Sequence, residues 1–107
     1  MEKEKFNYYR HLHMIQPTRV SSIHDFRYKD TISILIEARK SKGISQVVLA
    51  QKMGFTQPDI SKIERLERRL DVIEFLDLLE AISSGDSDFF NHIWNKINEC
   101  HNRSKKG

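Results

Sequence analysis

With 107 residues, a formal charge of +3 and 31% charged side chains, the chain has room for one small domain and a tail or two, not for a sensor domain beside it. A single cysteine, Cys100, excludes an internal disulfide and fits a reducing cytoplasm, and no apolar run is long enough to span a membrane. The N-terminus has early acidic residues and no apolar stretch, unlike a signal peptide, so a soluble, cytoplasmic protein is expected.

Residues 1–22 lack a sustained period and break at Pro17. They read as an N-terminal arm that Phe6, Tyr8 and Tyr9 could pin to the domain. Arg10 and Arg19 are candidate phosphate contacts there, although a solvated tail is the simpler reading. A first helix is expected from the cap Asp25 to Ser41, with Tyr28, Ile32, Leu35 and Ile36 on one face, closed by Lys42 and Gly43. A second starts at the cap Ser45 and turns Leu49, Ala50 and Met53 inward; Gly54 then supplies the positive φ of a sharp turn.

Thr56 and Asp59 have capping-box spacing for a third helix, Pro58 fits its first turn, and Ile60 and Ile63 point inward. Asp71 with Glu74 forms another box, and Leu70 with Phe75 a hydrophobic staple, opening a fourth helix from Val72 to Ile82. Its Val72, Ile73, Phe75, Leu76, Leu78, Leu79 and Ile82 cover most of the circumference, which predicts burial on more than one side. After a break at Ser83–Gly85, a fifth helix carries Phe89, Phe90, Ile93, Trp94, Ile97 and Cys100. Residues 101–107 read as a basic tail. No segment alternates as a strand would, so the fold class is all-α, a bundle of four or five helices over residues 23–100.

The residues with functional promise lie on the third helix. Gln57, Pro58, Ser61, Lys62 and Arg65 fall opposite Ile60 and Ile63. An amide, a hydroxyl and two cations held outward by two isoleucines are equipped to read base edges. Gln57 can pair with adenine, Lys62 with the guanine acceptors, Ser61 with either, and the Pro58 ring can lie on a thymine methyl. The plain alternative is a solvated helix face; the tight turn and paired caps favour recognition. Gln46 and Thr56, at helix N-termini, are candidate phosphate contacts, as are Arg65, Arg68 and Arg69 beyond the third helix. Lys52, Lys62, Arg65, Arg68 and Arg69 outnumber Asp59, Glu64 and Glu67 in this stretch, which suits a polyanion.

Arg39 falls in the middle of the apolar face of the first helix, where an unpaired guanidinium would not be tolerated. Glu64, flanking the inward face of the third helix, is its expected partner in a structural ion pair. Removing one partner of such a buried pair should cost on the order of 3–5 kcal/mol.

The run Ser45-Gln46, Leu49-Ala50, Gly54, Thr56-Gln57, Ile60-Ser61-Lys62-Ile63-Glu64 and Glu67-Arg68-Arg69-Leu70-Asp71 resembles the helix-turn-helix domain of the Cro and phage-repressor type. The resemblance covers about Ser22 to Ile82, with the helix-turn-helix motif itself at about 46–65. It implies a bundle of the lambda repressor-like DNA-binding type and a transcriptional regulator, a repressor, that binds a palindromic operator in double-stranded DNA as a homodimer. It also implies phosphate contact for Gln46, base contact for Gln57, Pro58, Ser61 and Lys62, and an Arg39–Glu64 ion pair. A bacterial or phage origin goes with it.

Three residues depart from the family pattern. Leu66 stands where glycine is frequent. Leucine in a left-handed conformation costs about 1–2 kcal/mol, which predicts that the third helix runs on another turn instead. Val48 replaces a polar residue and points off the core face, and Pro58 replaces a frequent glutamine or serine, so base preference there is not inherited.

The histidines His11, His13, His24 and His92 and the Cys100-His101 pair have no zinc-site spacing, and no catalytic motif is present. No enzyme activity, metal or cofactor is expected. Phe90, Trp94 and Ile97 are candidate dimer contacts, because a two-fold reader must hold two helices about 34 Å apart. An antitoxin that binds a toxin protein and represses its own operon is the second reading. Its toxin-binding surface would be the aromatic arm or the Trp94 helix. A pure protein-interaction module on the same scaffold is the third.

Overall fold

The computed structural model describes residues 22–106. The arm, but for Ser22, and the final Gly107 lie outside the described residues. A 3-10 turn at Ser22–His24 leads into five α-helices, and no strand forms among the described residues. They are α1 (Phe26–Ser41), α2 (Gln46–Met53), α3 (Gln57–Glu64), α4 (Val72–Ser83) and α5 (Ser87–Lys106). α5 runs past Cys100 to Lys106, so residues 101–106 continue a helix where the sequence suggested a tail.

Every helix start has a side-chain acceptor for its orphan N–H groups. Asp25 accepts from the Arg27 N–H at 2.8 Å, Ser45 from Val48 at 3.1 Å and Asp86 from Phe89 at 3.1 Å. Thr56 with Asp59, and Asp71 with Glu74, close full capping boxes.

Three consecutive helices end in the same way. In each, an N–H just past the helix end bonds to the carbonyl five residues before it, and the preceding N–H bonds inside it. After α1 these are Ile44 to Arg39 O (3.1 Å) and Gly43 to Lys40 O (2.9 Å); after α2, Phe55 to Ala50 O (2.9 Å) and Gly54 to Gln51 O (3.4 Å). After α3 they are Glu67 to Lys62 O (2.8 Å) and Leu66 to Ile63 O (3.1 Å). Gly43 and Gly54 meet the left-handed requirement at φ 71°, but Leu66 meets it at φ 64°. The third helix therefore ends at Glu64, and the expectation that it runs on another turn to spare Leu66 that conformation is not met. Two closing hydrogen bonds and the packing of the Leu66 side chain against the core outweigh the strain.

α2 packs on α3 and α4, and α1 packs on α5 while also touching α3 and α4. The core lies between them, with Ile32, Leu35, Leu49, Ile60, Ile63, Leu78, Leu79, Ile82 and Ile93 all buried. It is tightly filled: the cavity between α1, α2, α3 and α4 measures about 10 Å³, no more than one water needs. Leu70, in the α3–α4 connection, is tied down by its N–H, which donates to the Tyr28 hydroxyl at 3.0 Å.

α4 departs from the expected burial on more than one side. Leu78, Leu79 and Ile82 are buried, but Val72 is 72% exposed, Ile73 65% and Leu76 43%. The bundle covers one side of this helix and leaves an apolar strip facing out. On α5, Ile93 and Cys100 are buried, Phe89, Phe90 and Ile97 are half-buried against the core, and Trp94 is 45% exposed. The Trp94 ring lies 6.4 Å from that of Phe75, which sets it beside the exposed strip.

Candidate nucleic-acid interface

The α2–turn–α3 unit is held from below. Leu49 on α2 and Ile60 and Ile63 on α3 are each 1% exposed. α3 can neither roll nor slide without opening that contact. On the opposite side Gln57, Pro58 and Lys62 are exposed, and Ser61 is half-buried. The glutamine, proline and lysine that lie opposite the two isoleucines thus stand on the outer surface of one rigid helix.

Behind this face runs a line of polar contacts. Arg39 Nε and Nη2 donate to the Glu64 carboxylate at 2.7 and 3.0 Å, and Arg39 Nη1 donates to the Ile44 carbonyl at 2.7 Å. The pair is nearly dry, with side-chain exposures of 9% and 13%. Bidentate geometry and a third bond to the backbone satisfy the guanidinium where burial would otherwise penalise it. Gln46 Nε2 donates to Glu64 Oε1 at 2.8 Å, and Gln57 Nε2 donates to Gln46 Oε1 at 2.7 Å. Gln46 therefore uses both ends of its side-chain amide inside the protein. Its backbone N–H, at the first position of α2, has no acceptor within the helix.

The flanking arginines are engaged more closely than their sequence positions suggested. Arg65 donates to Glu67 at 3.2 and 3.1 Å and to the Ser61 hydroxyl at 2.8 Å. Arg68 donates to Glu74 at 3.3 and 2.8 Å, and its guanidinium lies 5.1 Å from the centre of the Phe55 ring. Thr56 spends its hydroxyl as the α3 cap, accepting from the Asp59 N–H at 3.3 Å. Arg69 is exposed. Sequence reasoning missed Glu67 and Glu74 as partners of these cations, because both pairings depend on the path taken after Leu66.

Residues 35–85 match the family model described as helix-turn-helix. The chain carries a helix-turn-helix domain of the Cro/C1 type. The match opens within α1, covers α2, α3 and α4 whole, and closes just past α4. The helix-turn-helix domain makes this chain a DNA-binding transcriptional regulator, and its family is one of regulatory domains, not of enzymes. No curated protein matches the chain. Among the described residues, no helix is long and apolar enough to cross a membrane, and no cluster of three His, Cys, Asp or Glu side chains could hold a metal ion.

Electrostatics within the helix-turn-helix domain follow from these contacts. The Arg65 bonds hold the Glu67 carboxyl below its ordinary value. The Arg68 bonds, with the Asp71 N–H, do the same for Glu74. The Thr56 backbone N–H holds Asp59 down. These carboxylates stay charged at neutral pH and offset part of the positive field on this flank. Lys62 on the reading helix, and Arg65 and Arg69 just past it, are exposed.

Proposed function

We propose that the protein is a repressor that occupies a palindromic operator as a homodimer, inserting α3 of each copy into the major groove. The observation that carries this reading is the outward face of α3, where Gln57, Pro58 and Lys62 stand clear of the core that anchors Ile60 and Ile63 behind them. Gln57, Pro58, Ser61 and Lys62 would touch base edges, with the backbone N–H of Gln46 and the α3 start at Thr56 against phosphates. Arg69, exposed beyond α3, would contact a phosphate as well. Arg65 and Arg68 would reach one only by exchanging Glu67 and Glu74 for it, so each contributes less than its charge implies.

Selection of bound sequences from a random DNA pool tests the proposal. The expected product is a two-fold motif with half-sites one helical turn apart, bound with an affinity that falls linearly in log–log coordinates as salt rises. Lys62→Ala should relax preference at one position per half-site, and Arg69→Ala should weaken all sequences alike. A pool that returns no enriched motif would overturn the reading.

The apolar strip of Val72, Ile73 and Leu76 with Trp94 favours a protein partner as well as DNA. We assign it to the second copy. An antitoxin would instead use it for a toxin protein, and a stable heteromeric complex purified from the native operon's expression would decide for that second reading.

A further inference from the structure

Four side chains join the interior of the domain to its outer face in one line: Arg39, Glu64, Gln46 and Gln57. A carboxylate paired with a guanidinium can only accept hydrogen bonds, whereas a primary amide donates at one end and accepts at the other. Glu64 is thus the member of the line that cannot be reversed. Whatever faces it must present N–H, so Gln46 turns its NH2 inward and its carbonyl towards the start of α3. Facing that carbonyl, Gln57 must in turn direct its own NH2 to Gln46.

Polarity is therefore transmitted through two amides. One hydrogen of Gln57 Nε2 is spent on Gln46, and its second hydrogen and the whole of Oε1 are left for a ligand. A donor beside an acceptor complements the N7 acceptor and N6 donor of adenine. Turned the other way, the amide would direct its carbonyl to Gln46 and offer both hydrogens outward, which complements the two guanine acceptors.

We infer that Glu64 is a positioning residue for base preference, setting through Gln46 which end of the Gln57 amide faces the DNA. This goes beyond its part in the ion pair with Arg39, and it rests on the base-reading role proposed above for Gln57.

The test is random-pool selection on the full chain and on three variants, comparing the enriched base at each position. Gln57→Ala identifies the base pair that Gln57 reads, and the parent chain should prefer adenine there. Gln46→Met removes the middle of the line and leaves the Arg39–Glu64 pair in place. Adenine preference at that one base pair should fall at least about fivefold, the lower end of what a bidentate contact discriminates. Glu64 Oε1 accepts from both Arg39 Nη2 and Gln46, so Glu64→Gln loses one Arg39 bond either way; with its oxygen kept on Arg39 Nε, its NH2 faces Gln46 and reverses both glutamines. Preference at the same base pair should then move towards guanine.

A structural role alone predicts uniform weakening with an unchanged base profile, and that result in Gln46→Met and Glu64→Gln would overturn the inference. Should circular dichroism find Glu64→Gln unfolded, Gln46→Met decides by itself. If Gln57→Ala alters no position, Gln57 reads no base and the inference falls. A parent chain that enriches no motif removes the DNA reading itself. An enriched parent motif with unaltered variant profiles removes only the transmission of polarity.

Discussion

Leu66 adopts φ 64° at the end of α3, where glycine would be free of strain and leucine is not. Two opposing effects meet in this residue. Its left-handed backbone costs about 1–2 kcal/mol, while its side chain is half-buried against the core. Alanine keeps the strain and loses the packing, whereas glycine loses the packing but also the strain. Leu66→Ala is therefore expected to be the less stable variant by about 1 kcal/mol, once the added chain entropy of unfolded glycine is allowed for. That order is opposite to the one inside a helix. Urea unfolding of the two variants measures it, and a Leu66→Gly protein weaker than Leu66→Ala would mean that the helix end does not hold this geometry. The same turn determines where Glu67 lands and so which acid Arg65 meets. One strained backbone thus sets the charge pattern beside the reading helix.

At the scale of the helices, capping carboxylates govern how the fold responds to acid. Bonds from the Arg27 side chain and N–H lower Asp25 from the ordinary 3.8 to about 2. Asp59 and Asp86 are lowered mainly by the N–H groups of Thr56 and Phe89, and Glu74 mainly by Arg68. A carboxyl depressed on folding adds stability that is complete above its unfolded value, 3.8 for Asp and 4.5 for Glu. That contribution is lost as pH falls through the folded value. Melting temperature followed by circular dichroism should stay level from pH 7 to about 5 and decline below about 4; a decline centred near pH 6 would point to histidines instead. These caps are also why the helix starts were legible in the sequence: Asp25, Ser45, Thr56 with Asp59, and Asp71 with Glu74 act over three or four residues, and their signal is local. The inward face of α3 was legible for the same reason, since Ile60 and Ile63 differ from their neighbours in kind. The left-handed Leu66 was not legible, because leucine carries no local mark of that conformation and tertiary packing decided it. Nor were the partners of Arg65 and Arg68, which depend on the turn that follows. The apolar residues of α4 cover most of its circumference, but that pattern does not distinguish burial within one chain from an apolar surface left open.

For the whole molecule, that open surface bears on how two copies would meet. Val72, Ile73 and Leu76 on α4 and Trp94 on α5 are exposed apolar side chains, while the backbone of α3 packs on α1 and α2. A strip on α4 and α5 can be covered by a second copy without blocking the outer face of α3. In a two-fold dimer the same strip meets itself, and a stable contact of this kind buries about 800 Å² on each partner. Four large side chains supply its apolar centre, with their surroundings as the rim. Leu76 lies on the same strip, so Leu76→Asp would bring two like charges into one dehydrated contact while leaving the core of each copy untouched, since Leu76 is 43% exposed. Sedimentation should find the parent chain dimerising with concentration and Leu76→Asp behaving as a 12.7 kDa monomer. On DNA the variant should bind a full operator far more weakly but keep the same preference within a half-site, because the reading face is unchanged. A parent chain that sediments as a monomer and occupies the operator one copy at a time would remove the second copy from this surface and leave it to another protein.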